Sequence, residues 1–171
     1  PSARTTVEAD MQFDDSTTTQ QRIFGADVSN SGNNDDFSFS VYINGNGLWA
    51  SALADGQNGD WIASTIPVDT MRHLVRLSGP DKKLTVDGED AGKHTGNVTK
   101  TGRYKLWIFN SNRTAESHPC SARLYSLKIY DGDNVVQSYI PVRTRDGQVG
   151  LLDEVSGIFR ESITSTPLVA G

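Results

Sequence analysis

CSARLYSLKIYDGDNVVQSYIPVRTRDGQVGLLDEVSGIFRESITSTPLVAG, residues Cys120 to Gly171, carries the clearest structural pattern in the chain. Tyr125, Leu127 and Ile129 alternate with Ser126, Lys128 and Tyr130. A repeat of two is the signature of a strand with one buried face. The run stops at Asp131-Gly132-Asp133-Asn134, residue types that accept the positive backbone angles of a tight hairpin turn. A second strand follows from Val135 to Ile140, and Pro141, which cannot donate to a ladder, is expected to end it. Asp146-Gly147 and Ser156-Gly157 read as further turns around the strands Val149 to Asp153 and Ile158-Phe159.

The same punctuation runs upstream. Nowhere do apolar residues recur at i, i+3, i+4 and i+7 over a helix-length window, so no ordinary helix is predicted. Short strands are predicted at 5–13, 21–27, 37–44, 47–52, 61–66, 72–78, 82–86, 104–110, 121–130, 134–140, 149–153 and 158–160. In Phe37-Ser38-Phe39-Ser40-Val41-Tyr42-Ile43-Asn44 the set Phe37, Phe39, Val41 and Ile43 points inward. Ser38, Ser40, Tyr42 and Asn44 then share a wet face. His73, Val75 and Leu77 form one face of the next clear strand, with Leu74 and Arg76 on the other. The fold class is therefore all-β, an antiparallel β-sandwich.

The 171 residues are expected to form a single domain, 1–171, long enough to bury a core without disulfides; the one cysteine, Cys120, excludes an internal bridge. Cys120 reads as a small buried residue beside a strand. A net charge of −5 argues against a nucleic-acid partner. No segment approaches the roughly 18 to 20 apolar residues that a membrane-spanning helix needs. The chain opens on Pro1 rather than Met, as expected of a piece of a longer protein.

The succession "LYSLKIYD", "YIPVR", "GLLDEVSGIF" and a closing "G" resembles the laminin-G-like (LamG) group of concanavalin A-like jelly rolls. "TTVEADMQF", "QQRIFGAD", "RHLVRLSG" and "LTVDGED" fit the strand order of that group. Such domains are appended to bacterial surface proteins, glycan-degrading proteins and phage proteins. The resemblance therefore implies a module of a larger multidomain protein, located outside the cell or on its surface. Relatives usually open with an extra strand of the type "YIDTG" before the segment matching Pro1 to Thr5. Its absence here would leave a sheet edge to be covered or paired.

The fold hosts binding modules, enzymes and spacers, so function has to come from a site. Retaining glycoside hydrolysis needs two carboxylates about 5 to 5.5 Å apart. Hydrolases of this superfamily carry runs resembling E-x-D-x-x-E or E-x-D-x-E, which this chain lacks. Its nearest pairs, Glu8/Asp10, Glu89/Asp90 and Asp153/Glu154, read as solvated or turn charges, and no Ser/His/Asp order suggests a triad. The expectation is a protein that is not an enzyme.

Sugars present C–H patches that stack on aromatic rings and hydroxyls that need fixed donors and acceptors. The candidate carbohydrate-binding residues are Tyr42, Asn44, Trp49, Asp60, Trp61, Arg76 and Trp107, with Lys128 added if its strand adjoins that of Arg76. Core packing competes for Trp107, whose strand is apolar on both faces, and for His73. Calcium is common among relatives and needs six to eight oxygens. Asn34, Asp35 and Asp36 in a loose loop are the candidate ligands, whereas Asp131 to Asn134 is explained by its turn. Asn97-Val98-Thr99 and Asn112-Arg113-Thr114 match glycosylation sequons, relevant only in a eukaryotic source. The leading expectation is a non-catalytic, lectin-like module whose partner is a glycan or polysaccharide. The alternatives are a structural or adhesive domain of a surface or phage-tail protein, and a degenerate hydrolase.

Overall fold

The computed structural model describes residues 1–15, 20–26, 37–55, 60–102, 104–110 and 120–161. In chain order the strands are β1 (Thr5–Phe13), β2 (Gln21–Ala26), β3 (Phe37–Ile43), β4 (Leu48–Asp55), β5 (Trp61–Pro67), β6 (Arg72–Ser78), β7 (Lys83–Val86), β8 (Glu89–Lys93), β9 (Trp107–Ile108), β10 (Ala122–Asp131), β11 (Asn134–Arg143), β12 (Val149–Asp153) and β13 (Ile158–Arg160). They form two antiparallel sheets, β13-β12-β11-β10-β1-β6-β7-β8 and β5-β4-β3-β2-β9. The all-β antiparallel sandwich is present as the alternation predicts.

Between the sheets lies one apolar layer. β1 contributes Val7, Ala9, Met11 and Phe13, and β3 contributes Phe37, Phe39, Val41 and Ile43. Val75, Leu77, Leu84, Val86 and Leu127 come from the neighbours of β1 and beyond. Each of these side chains larger than alanine, fully buried, stabilises the fold by about 1.5–3 kcal/mol relative to exposure. At the far edge the sheets approach closely: a Cβ on Gly92 of β8 would lie 2.5 Å from Ile62 Cδ1 of β5. Gly92 also holds a φ of +142°, a conformation in which a side chain is strained.

Several local expectations are corrected. β11 continues through Pro141, which pairs with Leu151 of β12. This is possible because β10 pairs with β11 only as far as Tyr139, so beyond it the β10 side is open and needs no donor. The strand predicted over 104–110 shortens to Trp107–Ile108, and β8 was not foreseen. β1 lies inside the eight-stranded sheet, between β10 and β6.

Tyr125 departs from the expected alternation. Asp10 pairs with Ser126 and Met11 with Leu124, so Tyr125 is the extra residue of a β-bulge. Leu124 and Leu127 pack with the core while Tyr125 is exposed.

Candidate functional site

The outward face of the five-stranded sheet follows from its register. Trp107 pairs with Gly25, Gly25 with Ser40, Ser40 with Ala52 and Ala52 with Trp61, so these five side positions form one row. The adjoining row runs Arg22, Tyr42, Ala50, Ala63. Two indoles thus stand at opposite ends of a floor made of glycine, serine and alanine. At about 4.8 Å per strand, four spacings separate them by roughly 19 Å. Small residues are required there: a Cβ on Gly25 would fall 2.5 Å from Ser40 Cβ.

The predicted wet face of β3 is not wet. Ser38, Ser40 and Tyr42 are all buried, as are Ala50, Ala52 and Ala54 beside them. One reason is Arg22, itself buried, whose guanidinium carbon lies 4.4 Å from the centre of the Tyr42 ring while Nη1 donates to Ser40 Oγ at 3.3 Å. Trp61 closes this group. Its ring meets Tyr42 at 5.7 Å and 70°, edge to face, and lies 5.7 Å from the Arg22 guanidinium carbon. Such contacts fix ring orientation and contribute about 0.5–1.5 kcal/mol each. Trp61 remains 41% exposed, so a held indole faces solvent.

Of the seven predicted residues, the structure brings Tyr42, Trp61 and Trp107 to one face. Trp107 is half-buried, which meets neither the core nor the surface expectation fully. Trp49 is fully buried, against its expected surface role. It pairs with inward-facing Ile43 and packs on Phe13 at 5.5 Å and His73 at 5.5 Å. Among the described residues its Nε1 has no hydrogen-bond partner. Asn44 is spent on its own turn, where Oδ1 accepts from Asn46 N at 2.9 Å and Leu48 N at 3.0 Å.

Asp60 is likewise occupied: Oδ2 accepts from the Thr95 and Gly96 amides and from Thr95 Oγ1. Those bonds hold its carboxyl below the usual range, Thr95 N foremost. Arg76 belongs to the other sheet, on the far side of the molecule, where it faces Asp81 at 3.5 Å. Glu8 stands between Arg76 and Lys128 in that sheet. Neither cation can therefore serve the Tyr42 face. Asn34, Asp35 and Asp36 lie outside the described residues. Among the described residues no group of three or more His, Cys, Asp or Glu side chains is arranged to hold a metal ion. Asp131, in the alternative oxygen-rich turn, pairs with Arg4 at 2.8 Å, and Gly132 takes a φ of +60°.

Arg22 is the member of the site that pattern-reading missed. Its neighbours Tyr42, Ser40 and Trp61 come from two other strands, β3 and β5. The available clue was a lone cation in the otherwise apolar run Ile23-Phe24, which marks either an exposed edge or a buried partnered charge.

Asp10, one of the carboxylates weighed for hydrolysis, accepts from Arg72 Nε at 2.7 Å and from Nη2. His73 contacts Asp87 through Nδ1 at 2.7 Å and Asp69 through Nε2 at 2.9 Å, the satisfied histidine expected. His94 is buried, with Nε2 2.8 Å from Ser51 Oγ and Nδ1 3.9 Å from Asp60 Oδ2. Ser51 is fully buried, so this serine–histidine–aspartate line has no solvent-facing hydroxyl. Burial pushes the Cys120 thiol up to about 12.

No protein-family model and no curated protein matches the chain. Solved structures do. A native heptameric SAP-like pentraxin from Limulus polyphemus aligns at 19% identity with a TM-score of 0.50, covering 75% of this chain and 64% of that one. A glycosyl hydrolase family protein from Mycobacterium fortuitum aligns at 17% identity and a TM-score of 0.46, covering 76% and 64%. A beta-1,3-glucanase from Mycobacterium marinum aligns at 15% identity and a TM-score of 0.43, again covering 76% and 64%. The chain thus spans 64% of the length of each. The fold is the concanavalin A-like lectin/glucanase jelly roll.

Proposed function

Proceeding from a concanavalin A-like sandwich, we propose that this chain is a non-catalytic carbohydrate-binding module of a larger extracellular or cell-surface protein. Its ligand is a glycan or polysaccharide. The observation that carries the reading is the Trp61 indole, 41% exposed on a sheet face yet fixed by Tyr42 and Arg22. A pyranose ring gains C–H contact with such a surface without paying to order it.

The catalytic alternative has little support in named groups. Asp10 is neutralised by Arg72, and Ser51 is sealed beneath the sheet. A second reading, protein contact in a surface or phage-tail assembly, is favoured by a different observation: Val135, Val136, Val155 and Ile158 are exposed.

A glycan array probed with the isolated chain and its Trp61→Ala variant tests the proposal. Retention by at least one glycan class, weakened about tenfold in the variant, is the expected result. Equal retention by both proteins moves the site elsewhere, and silence across the array favours the protein-contact reading.

A further inference from the structure

The geometry points to a second, independent saccharide-binding platform on the outward face of the eight-stranded sheet, centred on Tyr125 and Arg72 and suited to a neutral sugar. The bulge is the first reason. It interrupts the ladder between β1 and β10, both interior strands, and sends Tyr125 outward where simple alternation from Leu127 would send it inward. Bulges are used to re-aim a side chain next to functional sites. Here the re-aimed residue is an aromatic left 36% exposed.

The second reason is that everything around Tyr125 is held in place. The Arg72 guanidinium carbon lies 4.0 Å from the ring centre. Arg72 is itself fixed by two bonds to Asp10. The Tyr125 hydroxyl donates to Gln12 Oε1 at 2.8 Å, and Gln12 Nε2 donates to the Thr70 carbonyl at 2.8 Å. Leu74, 43% exposed, lies opposite Asp10 and extends the apolar surface. Ring, aliphatic surface, carboxylate, amide and guanidinium are thus presented together with little conformational freedom to lose on binding.

Charge selects the ligand class. Arg72 is paired with Asp10 and Arg123 with Asp14, so the described cations nearest Tyr125 are already neutralised; farther along the face Arg76 meets Asp81, and Lys128 lies opposite Glu8. Around Tyr125 an acidic polymer meets paired cations, so a neutral pyranose is the better match. The platform is on the opposite sheet from Trp61 and stands whether or not the Trp61 reading does.

The test is a nuclear magnetic resonance titration of the Trp61→Ala protein, in which the first proposed site is removed. The probes are neutral hexaoses of β-glucan, β-galactan and α-mannan, with an oligogalacturonate as the acidic probe. At least one neutral hexaose is expected to shift the Gln12 side-chain amide and Arg72 Nε–H signals. Tyr125→Ala should weaken that response about tenfold, while Tyr125→Phe, which keeps the ring and frees Gln12, should retain most of it. No shift with any neutral hexaose, or shifts with the acidic probe alone, overturns the platform. Shifts of the wild-type Trp61 indole without shifts at Arg72 and Gln12 overturn it while leaving the Trp61 reading intact.

Discussion

Tyr42 and Trp61 meet edge to face with ring centroids 5.7 Å apart, yet one is 8% exposed and the other 41%. The same contact therefore has opposite consequences on its two sides. Tyr42→Ala empties a buried site over the small-residue floor and is expected to destabilise by about 3–5 kcal/mol. Trp61→Ala removes a ring that is already 41% exposed and should cost less, about 1–2 kcal/mol. Urea midpoints for the two variants check this. Similar losses would mean that Trp61 is a core residue rather than a presented one.

Gly25 tests the floor itself. A methyl group there meets Ser40 Cβ at 2.5 Å within a paired strand, so neither backbone can withdraw freely. Gly25→Ala is expected to destabilise by about 1–3 kcal/mol, the usual range for overpacking. Adding Ser40→Gly removes the colliding carbon and should recover part of the loss, measured as a shift of the urea midpoint back toward wild type. No recovery would place the strain elsewhere.

Local pattern was enough for most strands and not for their long-range partners. The ranges 5–13, 72–78, 149–153 and 158–160 match the observed strands because alternation and turn residues bound them on both sides. β8 escaped notice because Glu89-Asp90-Ala91-Gly92-Lys93 has one apolar side chain and no period. Trp49 was misplaced although its signal was present. Counting the pairing back across the Asn44 to Gly47 turn sets Trp49 opposite Ile43, which the β3 pattern had already sent inward. The Tyr125 bulge was visible only as Leu124 standing three residues before Leu127. Arg22 had no local signature of its role, since its ring partners lie on β3 and β5.

Asp60 and Asp55 both hold the segment after β8. Asp60 takes the amides of Thr95 and Gly96, and Asp55 takes those of Thr99 and Lys100. Asp60→Ala leaves these donors without a charged acceptor and should destabilise by about 1.5–3 kcal/mol. Hydrogen exchange at the Thr95 and Gly96 amides is expected to accelerate more than at β3 amides. Slower glycan retention with unchanged exchange at those amides would instead restore Asp60 as a sugar-contacting residue.

The two described histidines should impose opposite pH dependences on stability. Both nitrogens of His73 contact carboxylates, Asp87 and Asp69, with Trp49 against the ring, so the favoured state carries both protons. Burial opposes that charge, but the two carboxylates outweigh it and raise the pKa. A raised histidine pKa stabilises fully below the unfolded value of about 6.5, and the contribution is lost as pH rises through the folded pKa. For His94 the sign reverses. Burial lowers its pKa, so its neutral form is the folded form; stability is intact above about 6.5 and falls as pH drops from there toward the folded pKa. Between about pH 5.5 and 9 ordinary carboxylates stay ionised, which isolates the imidazoles. Urea midpoints across that window should show the gap between wild type and His73→Gln closing as pH rises. For His94→Gln the gap should close as pH falls. A gap independent of pH for either variant would mean that the corresponding ring does not titrate differently in the folded and unfolded chains.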